Sequence, residues 1–197
     1  MGWGRLEQRG YGVDHEKLKT AYHETAHAVM ATIHGLKIKR ISIKGTDKYR
    51  GVMSTEPPAR EITNPDEALR EIRISLAGFV GEVLISGRYT IYRSHTDLVG
   101  AIELIEDLLE FDETFKNATV KLSVNNPGTL ADIENPLVRA YVDWKLSWVL
   151  RTLTPFKPAI KLIAEKLYES EELSGEEVSV LFNSPIQSSL KAKLDKI

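Results

Sequence analysis

The 197-residue sequence contains no cysteine. Disulfides, thiolate metal sites and cysteine nucleophiles are thereby excluded together, and any metal must be held by His, Asp or Glu. An excess of charge of either sign is also lacking. Lys and Arg number 26 against 28 Asp and Glu, a net charge of −2, and no long basic stretch stands out. Nucleic acid and anionic membrane surfaces are therefore not favoured as partners. No apolar run approaches the length of a membrane span, and residues 1–14 lack the apolar centre of a signal peptide. Leu6 stands where a myristoylation signal wants Ser or Thr. These absences predict a soluble, cytoplasmic protein. Internal repeats, low-complexity segments and the phosphate-loop pattern G-x-x-x-x-G-K-[ST] are missing as well.

What is present is an ordinary globular composition, 42% hydrophobic and 27% charged, with length for one sizeable core or two packed subdomains. Residues 1–13, which include Gly2, Gly4, Gly10 and Gly12, read as a loose lead-in. Asp14 is the expected N-cap of a helix running to about His34 and ended by Gly35. Its apolar stripe is Leu18, Tyr22, Ala26, Val29 and Ile33. Ile41 and Ile43 alternate with polar residues as a strand; after a turn at Gly45-Thr46-Asp47, Gly51 to Thr55 can run back. Pro57-Pro58 stops that second strand and suits a sheet edge.

Asn64-Pro65-Asp66-Glu67 opens a helix with a capping box and buries Ala68, Ile72, Leu76, Phe79, Val80 and Val83 before Gly87. Ser94-His95-Thr96-Asp97 opens another, through Leu98, Ile102, Ile105 and Leu109 to roughly Glu110. Residues 116–134, with the turn Asn125-Asn126-Pro127-Gly128, read as a loop or hairpin. Asn135-Pro136 starts a helix through Tyr141, Trp144 and Trp148, whose tryptophans serve packing inside a subunit or between subunits, with the core as the first expectation. Thr154-Pro155 starts a further helix through Ile160, Ile163 and Leu167, and Ser174-Gly175-Glu176-Glu177 caps a short last one. The expected fold is mostly α (α+β), with a small β-sheet near the front. It divides into a lead-in (1–13), a first, motif-bearing part (14–115), the 116–134 connection, a C-terminal helical part (135–183) and a tail (184–197).

The chemistry concentrates at His23-Glu24-Thr25-Ala26-His27, an HExxH pattern on the first helix. Histidines four apart project from one face and can reach one metal ion, Zn2+ being the natural occupant. The glutamate between them sits near the metal's open position and can take a proton from water held there. Two exposed histidines at this spacing can also be a solvated face, but here they lie beside the buried stripe. Catalytic zinc wants a third protein ligand. Spacing leaves Glu82 and Asp97 about even, with His95 and Glu103 also near enough to consider. Asp97 has a second reading as the carboxylate of a capping box. His34 lies about two turns, or ~10 Å, beyond His27, and is better explained as a helix-end histidine favoured by the dipole.

Ala21-Tyr22-His23-Glu24-Thr25-Ala26-His27-Ala28 resembles the peptidase domain of FtsH-type ATP-dependent zinc metalloproteases, whose motif reads Ala-Tyr-His-Glu-Ala-Gly-His-Ala. Gly51-Val52-Met53 resembles the start of that family's substrate-binding edge strand. Leu76-Ala77-Gly78 with Glu82 resembles its Leu-Gly-Gly-Arg-Ala-Ala-Glu-Glu segment. Asp97-Leu98 with Ala101 resembles the segment supplying the third zinc ligand, and Leu173-Ser174-Gly175-Glu176-Glu177-Val178 resembles Leu-Asp-Gly-Glu-Glu-Val. The matches occur in order over roughly residues 15–182. The resemblance implies a helical zinc-metallopeptidase domain, a hydrolase in which His23, His27 and Asp97 bind zinc and Glu24 is the general base. It also implies extended peptide substrate along Gly51, Val52 and Met53, and a six-membered ring.

Three features depart from the family. Ala26 replaces a glycine; Tyr92 to Thr96 before Asp97 stands where the family has a Gly-containing, uncharged run, with the stretch from Gly87 one residue longer; and no phosphate loop of the family's ATPase module is found. The expected substrates are therefore peptides or already unfolded segments, with a separate ATPase partner as a further expectation. The alternatives are a peptidase-like scaffold or binding module, and a gluzincin-like hydrolase with Glu82 as ligand.

Overall fold

The computed structural model describes residues 14–45, 51–56, 62, 64–86, 95–111 and 136–184. In chain order these form α1 (His15–Ile33), β1 (Lys37–Ser42), β2 (Val52–Glu56), α2 (Pro65–Ser86), α3 (His95–Phe111) and α4 (Pro136–Leu153). A 3-10 turn (Thr154–Phe156), α5 (Lys157–Ser170), β3 (Glu172–Ser174) and α6 (Gly175–Phe182) follow. The architecture is the expected mostly helical α+β type. Among the described residues, no helix is long and apolar enough to cross a membrane.

Local chemistry sets the ends of α1. Asp14 Oδ1 accepts the N–H groups of Glu16 and Lys17 at 2.9 and 3.1 Å, a cap that contributes about 1 kcal/mol. His34 is the C-cap, and Gly35 turns the chain at φ +76°. Between these ends α1 departs from the one-stripe expectation, because every residue from Ala21 to Ala31 is buried. The helix packs against α2, α5, α4 and β1, so almost no face is left for water. Small side chains permit this. Gly81 on α2 lies so close to Ala26 that an added Cβ would come within 2.6 Å of the Ala26 Cβ. The alanine that stands where the resembled motif has glycine is thus matched by a glycine on the facing helix.

The sheet is antiparallel with order β2-β1-β3. Ile41 of β1 pairs with Met53 on one side and Leu173 on the other. A register shift between Ile38 and Arg40 breaks the alternation, so Ile38 and Ile41 share the buried side. Ile43 lies just beyond β1, with its N–H donating to the Glu171 carbonyl at 2.8 Å. β2 is an edge strand, as the prolines after it suggest. β3 was not evident in the sequence: three residues with one buried side chain carry no period, and the chain enters them through Glu171 at φ +63°.

Helix caps at Asn64 and Ser174 are as expected. Asn64 Oδ1 accepts the Glu67 N–H at 2.9 Å, and Ser174 and Glu177 form a reciprocal capping box. On α4, however, the buried face is Val138, Val142, Leu146, Val149 and Leu153. Trp144 is 53% exposed and Trp148 half-buried, so the expectation of tryptophans in the core fails for Trp144. The Ser94 cap, Gly87, Pro57-Pro58, the 116–134 connection, the lead-in and the residues after 184 lie outside the described residues.

Candidate metal centre

Helices α1, α2 and α3 meet at one point. His23 and His27, one turn apart on α1, bring their Nε2 atoms to 2.9 Å with the rings edge to face at 78°. Asp97, in the first turn of α3, places Oδ2 2.8 Å from His23 Nε2 and 3.3 Å from His27 Nε2. Among the described residues, these three form the group of His, Asp and Glu side chains whose donor atoms converge closely enough for a metal ion.

The outer nitrogen of each ring is fixed. The Ile74 carbonyl of α2 is 2.7 Å from His27 Nδ1, and a carbonyl can only accept. Nδ1 therefore carries the proton, and in the neutral ring Nε2 keeps its lone pair facing the other donors. Glu82 Oε1 does the same for His23, 2.9 Å from Nδ1. Glu82 thus lies behind the His23 ring, on the side opposite the convergence point. It is 2% exposed.

Burial alone would push the His23 pKa down. Hydrogen bonds to Asp97 and Glu82, with the charges of Asp97 and Glu24, outweigh it and hold the value up at about 10. Burial likewise opposes ionisation of Asp97, but the two imidazoles overcome it and keep the carboxyl below its usual range. Paired donors of this kind gain most from a cation, which competes with the proton for the same lone pairs. The set of two nitrogens and one oxygen suits a small divalent ion such as zinc, for which bond lengths of about 2.0–2.2 Å place neighbouring donors about 3.3 Å apart. The observed 2.8 to 3.3 Å separations are close to that.

Glu24, between the histidines, is buried and does not join the cluster. Burial raises its pKa; the imidazoles pull it down and Asp97 pushes it up, leaving it above the ordinary carboxylate value. Such a carboxylate is a better base. The backbone of Gly51, just before β2, presses against it: a Cβ there would come within 2.5 Å of Glu24 Oε1. Gly51 is therefore brought beside Glu24 at the start of β2, in which Val52 is exposed and Met53 is packed on the core.

Gly78 on α2 has no counterpart in the residue-by-residue reading of ligands, though it lies in a segment that carried the family resemblance. A Cβ at Gly78 would fall 2.5 Å from Nε2 of both His23 and His27. Space at the convergence point thus depends on a missing side chain. Gly78→Ala should lower metal affinity at least about tenfold by displacing an imidazole, comparable to loss of an outer hydrogen-bond partner. Competition with a chromogenic chelator checks this, and circular dichroism verifies the fold.

The other sequence candidates lie elsewhere or cannot be placed. Glu103 is exposed on α3 outside the cluster, and the His95 side chain is outside the described residues. His34 caps α1 as expected, but its pKa is lowered, by burial first and then by Arg73 and Arg70. A stabilising helix-end charge is therefore not what holds it there.

No protein-family model matches the sequence. The chain is 26% identical over 198 aligned positions to an ATP-dependent zinc metalloprotease FtsH of Opitutus terrae, an alignment taking in 90% of this chain and 30% of the relative. The chain spans about 30% of the length of that curated relative, to which it bears a distant relationship.

Proposed function

We propose that this chain is a zinc-dependent endopeptidase that hydrolyses peptide bonds in peptides or unfolded segments. The observation that carries the reading is the convergence of His23 Nε2, His27 Nε2 and Asp97 Oδ2 beside the buried carboxylate of Glu24. His23, His27 and Asp97 would hold the ion, with Glu82 and the Ile74 carbonyl orienting the rings. Zinc bound there supplies Lewis acidity, polarising the scissile carbonyl and acidifying a water molecule.

Glu24 does the proton work. Its carboxylate takes a proton from the attacking water as the new C–O bond forms, and returns it to the amine nitrogen as the C–N bond breaks. A base with a raised pKa is suited to both transfers. Substrate is held as an extended strand on the open edge of β2, where main-chain hydrogen bonds are independent of sequence. Because Gly51 touches Glu24, a peptide running past Gly51, Val52 and Met53 passes next to the base. Assembly into a hexameric ring and delivery by an ATPase belong to this reading through the likeness to FtsH.

The test is zinc dependence. Hydrolysis of an unfolded protein should fall to background after chelation and return with stoichiometric zinc, with elemental analysis giving one zinc per chain. A chain that binds zinc tightly and turns over no unfolded substrate would instead favour the scaffold reading.

A further inference from the structure

Helix α4 carries a second cluster of titratable groups that the hydrolytic site does not use. Lys145 lies on its buried side with 4% of its surface exposed. The ammonium stands 4.0 Å from the Trp144 ring centroid and 4.9 Å from that of Tyr141. Arg73, from α2, covers the Trp148 ring at 4.3 Å. Trp148 also stacks with His34 of the α1 cap, at 6.4 Å and 24°. Two cations and an imidazole, contributed by three helices, are therefore set against three aromatic rings.

These groups feel one another. Lys145 has a lowered pKa, through burial first and Arg73 second, and Arg73 also acts on His34 and Tyr141. Among the described residues, neither Lys145 nor Arg73 has a carboxylate partner, whereas nearby Arg70 is paired with Glu71 at 3.1 Å. Arg73 Nε and His34 Nε2 are buried without a hydrogen-bond acceptor or donor. Aromatic faces offset part of the cost of burying a cation, about 0.5–2 kcal/mol each. They leave the net charge in place, and buried charge is ordinarily paired.

We propose that Lys145, Arg73 and His34 form a binding site for a small tetrahedral oxyanion of the phosphate class, as free phosphate or the end group of a phosphomonoester. Two fixed positive charges match a dianion; a carboxylate would neutralise only one. The unfilled donor capacity of Arg73 Nε, and of His34 Nε2 in its protonated tautomer, supplies directed hydrogen bonds.

Tryptophan fluorescence and melting midpoint, measured after chelation and desalting so that no metal competes, test this directly. Inorganic phosphate and glycerol phosphate are titrated at constant ionic strength against acetate. Wild type should show a saturable fluorescence change and a raised midpoint with phosphate, and several-fold weaker binding of acetate. The tighter of the two phosphate compounds identifies the source. Lys145→Met should weaken phosphate binding about ten- to a hundredfold while leaving zinc uptake unchanged; Arg73→Gln replaces it should that variant not fold. Phosphate without a saturable effect into tens of millimolar, acetate equal to phosphate, or unchanged affinity in Lys145→Met would each overturn the site. None of these readouts depends on peptidase activity.

Discussion

Glu24→Gln should abolish most hydrolysis of unfolded substrate while leaving zinc content unchanged. The two side chains are nearly isosteric, so the close approach of Gly51 to the Glu24 side chain is preserved. What changes is proton affinity: an amide cannot take the proton from water or return it to the leaving amine. Loss of general acid–base assistance costs about 10²- to 10⁴-fold in rate. Metal content should hold because Glu24 is not among the three residues whose donor atoms converge. Initial rates on a labelled unfolded protein and elemental analysis of the same preparations measure both quantities. A Glu24→Gln protein with wild-type turnover would sink the zinc-peptidase mechanism.

Where the controlling interaction is local in the chain, the fold is legible in the sequence. Asp14, Asn64 and Ser174 each bond to an N–H two or three residues on, and each marks a helix start correctly. The limits appear where distant segments decide. The stripe on α1 predicts one buried face, yet α2, α5, α4 and β1 surround it and bury residues 21–31 entirely. A bulge in β1 adds Ile38 to the inward side beside Ile41, and Ile43, inward as its alternation predicts, falls just beyond the strand. β3 is a strand only because β1 offers Arg40, Ile41 and Ser42 as partners from the far end of the chain. Trp144 is large and apolar, but the helical phase of Val138, Val142, Leu146 and Val149 turns it toward solvent.

The candidate centre divides in the same way. His23, Glu24 and His27 are adjacent on one helix, so their relation follows from helical geometry alone. Asp97 joins them across a separation of 74 residues, and spacing left it level with Glu82. Both carboxylates do touch His23, at opposite nitrogens, which explains why a one-dimensional reading could not separate them. Gly78 and the Ile74 carbonyl carry no side-chain chemistry to notice; their contributions are empty space and a main-chain oxygen.

Asp97→Ala should cost the protein its zinc, and the contrast with Glu82→Gln makes the result informative. Asp97 Oδ2 faces both inner nitrogens, so its removal leaves two imidazoles as the only converging donors. Deleting a direct ligand should weaken metal binding by more than about a hundredfold, beyond the 10–100-fold typical of outer partners. Glu82→Gln keeps all three donors and an acceptor oxygen for His23 Nδ1, but removes the negative charge behind the ring. Its affinity loss should lie within or below that outer-partner range. Folding tests the assignment separately. As a carboxylate in the first turn of α3, Asp97 contributes about 0.3–1 kcal/mol through the helix dipole. Loss of it leaves α3 anchored by buried Leu98, Ala101, Ile102 and Ile105. A folded Asp97→Ala protein that keeps wild-type zinc affinity, beside a Glu82→Gln protein that loses it, would transfer the third-ligand role to Glu82 and restore the gluzincin-like alternative.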